Sequence, residues 1–244
     1  MSDLLLNSAS QTTARNNHDR VLAALGQAIV SGGHPPGSVL PKDEQLLEQF
    51  GVSRTVLREV MKTLAAKGMI SAKARVGTTV RPALDWNMFD AHVLHWHLNS
   101  SHSEDFYRQL FEMRLSFEPF AARLAAARAT REQIAAMQET VADMAAAETA
   151  KAFALADLAL HRAVLDAADN AFFHSVGALI EAALLAAMRR SSPTERPESQ
   201  AGVVREHGLI VEALQRGDAD AAETCMRAVI SFGWARIAEL NTRG

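Results

Sequence analysis

Three side chains in the second half of the chain have the makings of a metal centre. Asp157 and His161 stand four residues apart in DLALH, so a helix would carry the carboxylate and the imidazole on one face. His207, in REH, opens a later segment and offers a second imidazole. One carboxylate and two imidazoles suit a divalent ion such as zinc, with a position left for a ligand oxygen. The same Asp–His spacing also serves as a plain surface pair, and spacing alone leaves both readings open. A second group is basic. Ser53, Arg54 and Thr55 open a segment in which Arg58 follows Arg54 by one turn. Residues at the start of a recognition helix meet base edges in the major groove, and arginine matches guanine O6 and N7. Lys73, Arg75 and Arg81 follow, suited to phosphates or the minor groove.

The basic group needs a scaffold, and the surrounding sequence supplies one. Leu46, Leu47 and Phe50 give an apolar face to a short helix that Gly51 stops. Ser53 can cap a second helix whose inner face is Val56 or Leu57, Val60, Met61 and Leu64, ending at Gly68. The link Gly51-Val52 is as short as a helix-turn-helix requires. Met69 to Ala72 and Thr78 to Arg81 pattern as paired strands around a tip at Ala74 to Gly77. A helix-turn-helix followed by a hairpin is a winged helix, which implies DNA binding. A small helical hairpin with a solvated basic face has the same periodicity.

Charge follows the same division. Residues 1–82 carry 10 Lys/Arg against 6 Asp/Glu, whereas residues 83–244 carry 15 against 22. A basic front on an acidic body fits a nucleic-acid module joined to something else, and 244 residues suffice for two cores. The single cysteine, Cys225, excludes an intramolecular disulfide and a multi-cysteine zinc site. No apolar run reaches the roughly 18 residues of a membrane span, and the start lacks a signal-peptide pattern, so a cytoplasmic location is expected.

Residues 1–16 are polar and expected to be disordered. An amphipathic helix then runs from about His18 to Val30, before Gly32-Gly33 and the rigid turn HPPGS. The winged helix-turn-helix is expected over residues 17–82 and a connector over residues 83–103. The connector's Trp86, Phe89, Val93, Leu94, Trp96 and Leu98 suggest that it packs one domain on the other. His92, His95, His97 and His102 do not place three imidazoles on one helical face, which argues against a metal cluster there.

Residues 104–240 read as an antiparallel all-α bundle. Six helices are expected: Asp105–Ala129, kinked or broken at Pro119; one capped by Thr130 with Gln133; Ala152–Ala167; Ala171–Arg190; Val203–Gln215 after a polar loop over Ser191 to Ser199; and a last one capped by Asp218.

The run HPPGSVLPKDEQLLEQFGVSRTVLREVMKTLAAKGMI, with the tip RVGTTV, resembles the N-terminal domain of GntR-family bacterial transcription factors. That resemblance implies operator contacts from Ser53, Arg54 and Arg58, with Gly77 at the wing, and leaves the role of Glu44 open. The size and order of the helical half resemble the effector (FCD) domain of the FadR branch. Many such domains hold a metal with Asp and His at the positions of Asp157, His161 and His207. They add a histidine where this chain has Val229. The departure leaves three uses for the set: three protein ligands with water or effector, weak metal binding, or plain hydrogen bonding.

Arg114 stands where the branch often places an arginine facing the effector cavity. A guanidinium there suits a carboxylate, and a surface pair with Glu118 is the competing role. The segments LDWNMFDAHVLHW and MRLSFEPFAARLAA resemble the galactonate-operon regulators within the branch, implying an aldonate or related sugar acid as effector. The resemblance therefore implies a homodimeric repressor that binds pseudo-palindromic double-stranded DNA and is released by a small carboxylate. An activator would use the same DNA module. A metal-dependent hydrolase built on Asp157, His161 and His207 is disfavoured, because the chain lacks a nucleophile with a partner base, a phosphate loop and an HExxH.

Overall fold

A computed structural model describes residues 17–100, 103–190, 194 and 197–241. The expected disorder of residues 1–16 lies outside these. The chain divides into two compact units, one running to Phe106 and the other beginning at Tyr107.

The first unit opens with α1 (Asn17–Val30), followed by α2 (Asp43–Phe50) and α3 (Arg54–Ala66). Gly51 makes the turn between α2 and α3 in the left-handed conformation, φ 62°, a region that costs other residues more. Strands β1 (Ile70–Lys73) and β2 (Gly77–Val80) pair antiparallel, Ile70 opposite Val80 and Lys73 opposite Gly77. The pairing runs one residue off the expected limits, and the tip is Ala74 to Val76. Val39 adds a bridge to Thr79. The core joins Val21, Leu25 and Ile29 of α1 to Leu46, Leu57, Val60, Leu64, Met69 and Val80.

The stretch expected as a connector contributes to this same core. A single 3-10 turn, Ala83–Asp85, precedes α4 (Ala91–Leu98), and Trp86, Val93 and Trp96 are buried among the residues above. Asp90 caps α4 by accepting from the His92 and Val93 amides, while its other oxygen takes the buried Lys67 ammonium at 2.6 Å. The Trp96 ring lies against Gly26, where a Cβ would meet it at 2.4 Å. His97 stacks on Phe106 with centroids 4.5 Å apart.

The second unit is helical throughout its described length. Its helices are α5 (Ser103–Arg128), which begins within the first unit, α6 (Arg131–Ala146), α7 (Ala150–Ala167), α8 (Ala171–Ser175), α9 (Gly177–Arg190), α10 (Pro197–Gln215) and α11 (Ala219–Asn241). Among the described residues there are seven rather than six, because Ala171–Arg190 is interrupted at Val176. A β-branched residue followed by Gly177 combines two poor helix formers. Helix α10 starts at Pro197, six residues before its apolar pattern begins, and proline suits a first helical position. Gln200 in that early turn donates to the Met144 and Ala147 carbonyls that end α6, at 3.0 and 2.9 Å. The loop expected over Ser191 to Ser199 is thus partly helical; residues 191–193 and 195–196 lie outside the described ones.

Pro119 does not break α5. Proline cannot donate to the carbonyl four residues back, and here Arg227 Nη1 of α11 donates to that Leu115 oxygen at 3.5 Å. Thr130 and Asp218 cap α6 and α11 as expected. The main core gathers Phe111, Ala122, Met137, Met144, Phe153, Leu160, Val164, Ile210, Leu214, Met226 and Ile230 from α5, α6, α7, α10 and α11.

Two expectations follow. Helix propensity alone would have Gly26→Ala stabilise α1 by about 1 kcal/mol. The collision with the buried Trp96 ring reverses the sign, and urea denaturation should show a net loss of about 1–3 kcal/mol. Burial pulls the His97 imidazole down to about 4. A histidine whose folded pKa lies below its unfolded value gives stability that is complete above about pH 6.5 and declines as pH falls towards 4. Between about pH 7 and about pH 5 the wild type should lose on the order of 1 kcal/mol more than His97→Phe, which keeps the stack.

Candidate functional site

The first unit carries the expected basic side chains at its surface. Ser53 caps α3, its Oγ accepting from the Val56 amide at 3.4 Å. Arg54, Thr55 and Arg58 are exposed on the first two turns of α3, and Arg54 and Arg58 share a surface hollow with Asp43 and Thr78. Glu44 faces Arg54 at 3.9 Å across solvent, a separation of little energetic weight. Lys73 and Arg75 are exposed on the hairpin, with Arg75 at a positive φ of 64° at the tip. Gly77 opens β2 at φ 110°, beside Val39. Arg81 is paired with Asp85 at 3.2 Å.

The second unit brings Arg114, Asp157, His161 and His207 together around one cavity of about 30 Å³. Helix α7, capped by Thr149, carries Asp157 and His161 on its inner face. Helix α10 supplies His207, and α5 supplies Arg114. All four are nearly fully buried, so Arg114 is no surface residue. It does pair with Glu118, but in the interior: Nε donates to Oε1 at 2.5 Å and Nη2 to Oε2 at 3.3 Å. The heptad-like series Tyr107, Leu110, Phe111, Arg114, Glu118, Ala121, Ala122, Ala125 explains this, since the two charges occupy core positions of α5.

Hydrogen bonding places a proton on Nδ1 of both imidazoles. His207 Nδ1 lies 2.7 Å from the Val203 carbonyl oxygen. A carbonyl only accepts, so Nδ1 carries the proton. His161 Nδ1 lies 2.5 Å from Glu118 Oε2, and an ionised carboxylate likewise only accepts. When neutral, each ring therefore turns a bare Nε2 inward; burial opposes charging His161, but Glu118 and Asp157 outweigh it and raise its pKa. His207 Nε2 and His161 Nε2 stand 2.9 and 3.5 Å from the same Asp157 Oδ1. Despite that short approach, neither His207 Nε2 nor Asp157 Oδ1 has a hydrogen-bond partner. Lone pairs converging in a buried site are relieved by a second proton on an imidazole, by a water, or by a cation between them. The donor atoms lie within 4.8 Å of one another, the one such group among the described residues. They fit a divalent ion, and Val229 lines the same cavity without offering a ligand.

The carboxyl groups feel this setting. Burial raises the Glu118 pKa, but Arg114 and His161 outweigh it and hold it at about 2. Burial raises Asp157 too, and the two facing imidazoles, where they carry a proton on Nε2, bring it well below the carboxylate range. The histidines of the 92–97 run have other work: His92 tilts against Trp96 and His97 stacks on Phe106. His102 lies outside the described residues. Asn170 caps α8, donating nothing to the cavity's lining.

A winged helix joined to an all-α unit with a buried Asp/His/Arg cavity defines a class of ligand-responsive bacterial regulators. Residues 17–80 match the bacterial regulatory proteins of the gntR family, and residues 109–232 match the FCD domain. The chain belongs to the GntR family, in its FCD-bearing branch, and is a DNA-binding transcriptional regulator, not an enzyme. It is 32% identical to the galactonate operon transcriptional repressor of Escherichia coli K12 over 93% of this chain and 99% of that one. It is 34% identical to the HTH-type transcriptional regulator YieP of the same organism, covering 91% and 96%. Among solved structures, the Listeria monocytogenes regulator Lar shares the fold with a TM-score of 0.65 at 19% identity, covering 93% of this chain and 98% of that one. No helix among the described residues is long and apolar enough to cross a membrane.

Helix α5 carries a built-in comparison. Arg108–Glu112 and Arg114–Glu118 have the same spacing and the same 2.5 Å approach, but the first is exposed and the second buried. Glu118→Ala should cost about 3–5 kcal/mol by leaving buried donors unpaired. Glu112→Ala should scarcely change a denaturation midpoint.

Proposed function

We propose that this regulator is a homodimeric repressor of sugar-acid catabolism genes, released from a pseudo-palindromic operator by an aldonate such as galactonate. The observation that carries the reading is the joining of an exposed Arg54/Arg58 surface to a buried cavity lined by Arg114, Asp157, His161 and His207. Ser53, Arg54, Thr55 and Arg58 read the major groove of one half-site, while Lys73, Arg75 and Gly77 set the wing against the backbone. The similarity to a galactonate operon repressor over nearly the whole of both chains supports the effector class.

In the second unit, Asp157, His161 and His207 hold a divalent ion, zinc by the chemistry of the donors. The ion supplies a Lewis-acidic position for an effector oxygen, and Arg114 complements the effector's carboxylate. A cavity of about 30 Å³ has room for an ion and a water or two but not for a six-carbon acid. The effector therefore selects an opened arrangement, and differential affinity for two arrangements is what regulation requires. Exposed apolar side chains support self-association: Phe120, edge-on to Phe173, is 50% exposed and Phe172 is 84% exposed.

Fluorescence anisotropy on DNA from upstream of the gene, at fixed salt, with and without galactonate and gluconate, tests the reading. One sugar acid should release the protein. Tight binding that no sugar acid disturbs would discard the effector class. Arg54→Ala or Arg58→Ala should weaken operator binding about 10–100-fold and leave metal content unchanged. Elemental analysis of untagged protein should find close to one metal per chain, lost in His161→Ala; equally little metal in both would favour a hydrogen-bonding role for the set.

A further inference from the structure

We infer that Glu118 is the positioning residue of the Asp157/His161/His207 centre, holding His161 with its proton on Nδ1 and its bare Nε2 turned towards Asp157. The inference rests on the metal reading proposed above and adds to it a residue that is not itself a ligand.

Glu118 is 1% exposed, so protein groups alone satisfy it. Its carboxylate accepts from two directions: Arg114 at 2.5 and 3.3 Å, and His161 Nδ1 at 2.5 Å. Imidazole has two tautomers, and only the one protonated at Nδ1 offers Nε2 to a cation. An acceptor-only group fixed beside Nδ1 selects that tautomer and the ring's orientation together. Arg114 holds the carboxylate in place and offsets its charge, lying over the Phe111 ring at 5.6 Å. His207 is set by a different device, the Val203 main-chain carbonyl at 2.7 Å. Two independent anchors thus aim two imidazoles at one carboxylate oxygen, and only the first depends on a side chain that substitution can alter.

The fit of Gln at this position is poor in a definite way. Arg114 and the Nδ1–H of His161 are both donors, and an amide presents one oxygen and one NH2 where the carboxylate presents two acceptors. Glu118→Gln keeps the volume but turns a donor towards a donor. Glu118→Asp keeps the charge for Arg114 and shortens the reach to His161.

The test uses the full chain labelled with 15N-histidine. Zinc affinity is measured by competition with a chelating dye for wild type, Glu118→Gln, Glu118→Asp and Asp157→Ala, with melting of the zinc-free proteins followed in parallel. Wild type should bind one zinc per chain, with both ring signatures showing Nδ1–H and zinc on Nε2. Either Glu118 variant should bind zinc about 10–100-fold more weakly and lose the His161 Nδ1–H signature while His207 keeps its own. A general loss of structure would alter both histidines together, and that result would overturn the inference. So would wild-type zinc affinity in both Glu118 variants; if Asp157→Ala then loses zinc, the metal reading survives alone. Absence of zinc binding by the wild type would overturn both.

Discussion

The interior of the second unit is governed by one constraint: charges removed from water must be answered by fixed partners. Arg114, Glu118, His161, Asp157 and His207 form a chain in which each group faces the next, and all five are nearly inaccessible. The helices are arranged to make this possible. Two members sit four residues apart on α5, two more sit four apart on α7, and the fifth comes from α10. An apolar core surrounds them, so each group's state is set by its neighbours rather than by solvent. The chain is complete except at one end, where Asp157 Oδ1 and His207 Nε2 approach to 2.9 Å without a hydrogen bond.

The first unit obeys a different logic. Its apolar core is small, and its functional side chains are held outward by the ends of elements. A cap places Arg54, a turn later Arg58, and a hairpin tip places Arg75. Side chains meant for base edges and phosphates must be reached from the surface, and these three keep their solvation there. The unit also takes in more chain than the winged helix alone. Trp86, Val93 and Trp96 fill the space beside α1, and Lys67 is buried against the Asp90 cap.

Much of this was legible in the sequence. Capping residues, glycine stops and apolar periodicity located α2, α3, the hairpin, α6, α7 and α11, because these signals are local. The Asp157–His161 pair was legible for the same reason. The burial of the Arg114–Glu118 pair was not readable, since Arg and Glu four residues apart look like a solvated pair until the burial of the whole α5 face is known. The signal was present in the series from Tyr107 to Ala125, where both charges fall on apolar positions. The early start of α10 was hidden because its first turn is polar and serves the end of α6 through Gln200. The continuity of α5 through Pro119 was not readable locally, for the missing donor is supplied from a residue more than a hundred positions away.

A proline in mid-helix leaves a main-chain oxygen unclaimed, and α11 has taken it with Arg227. The docking point on α5 is therefore written in the backbone rather than in the identity of Leu115. Side chains at 115 that still pack against the core would leave that oxygen in place, whereas exchange of Pro119 would let α5 close its own ladder and withdraw the mark. A residue usually regarded as a helix breaker thus acts here as an address for a neighbouring helix.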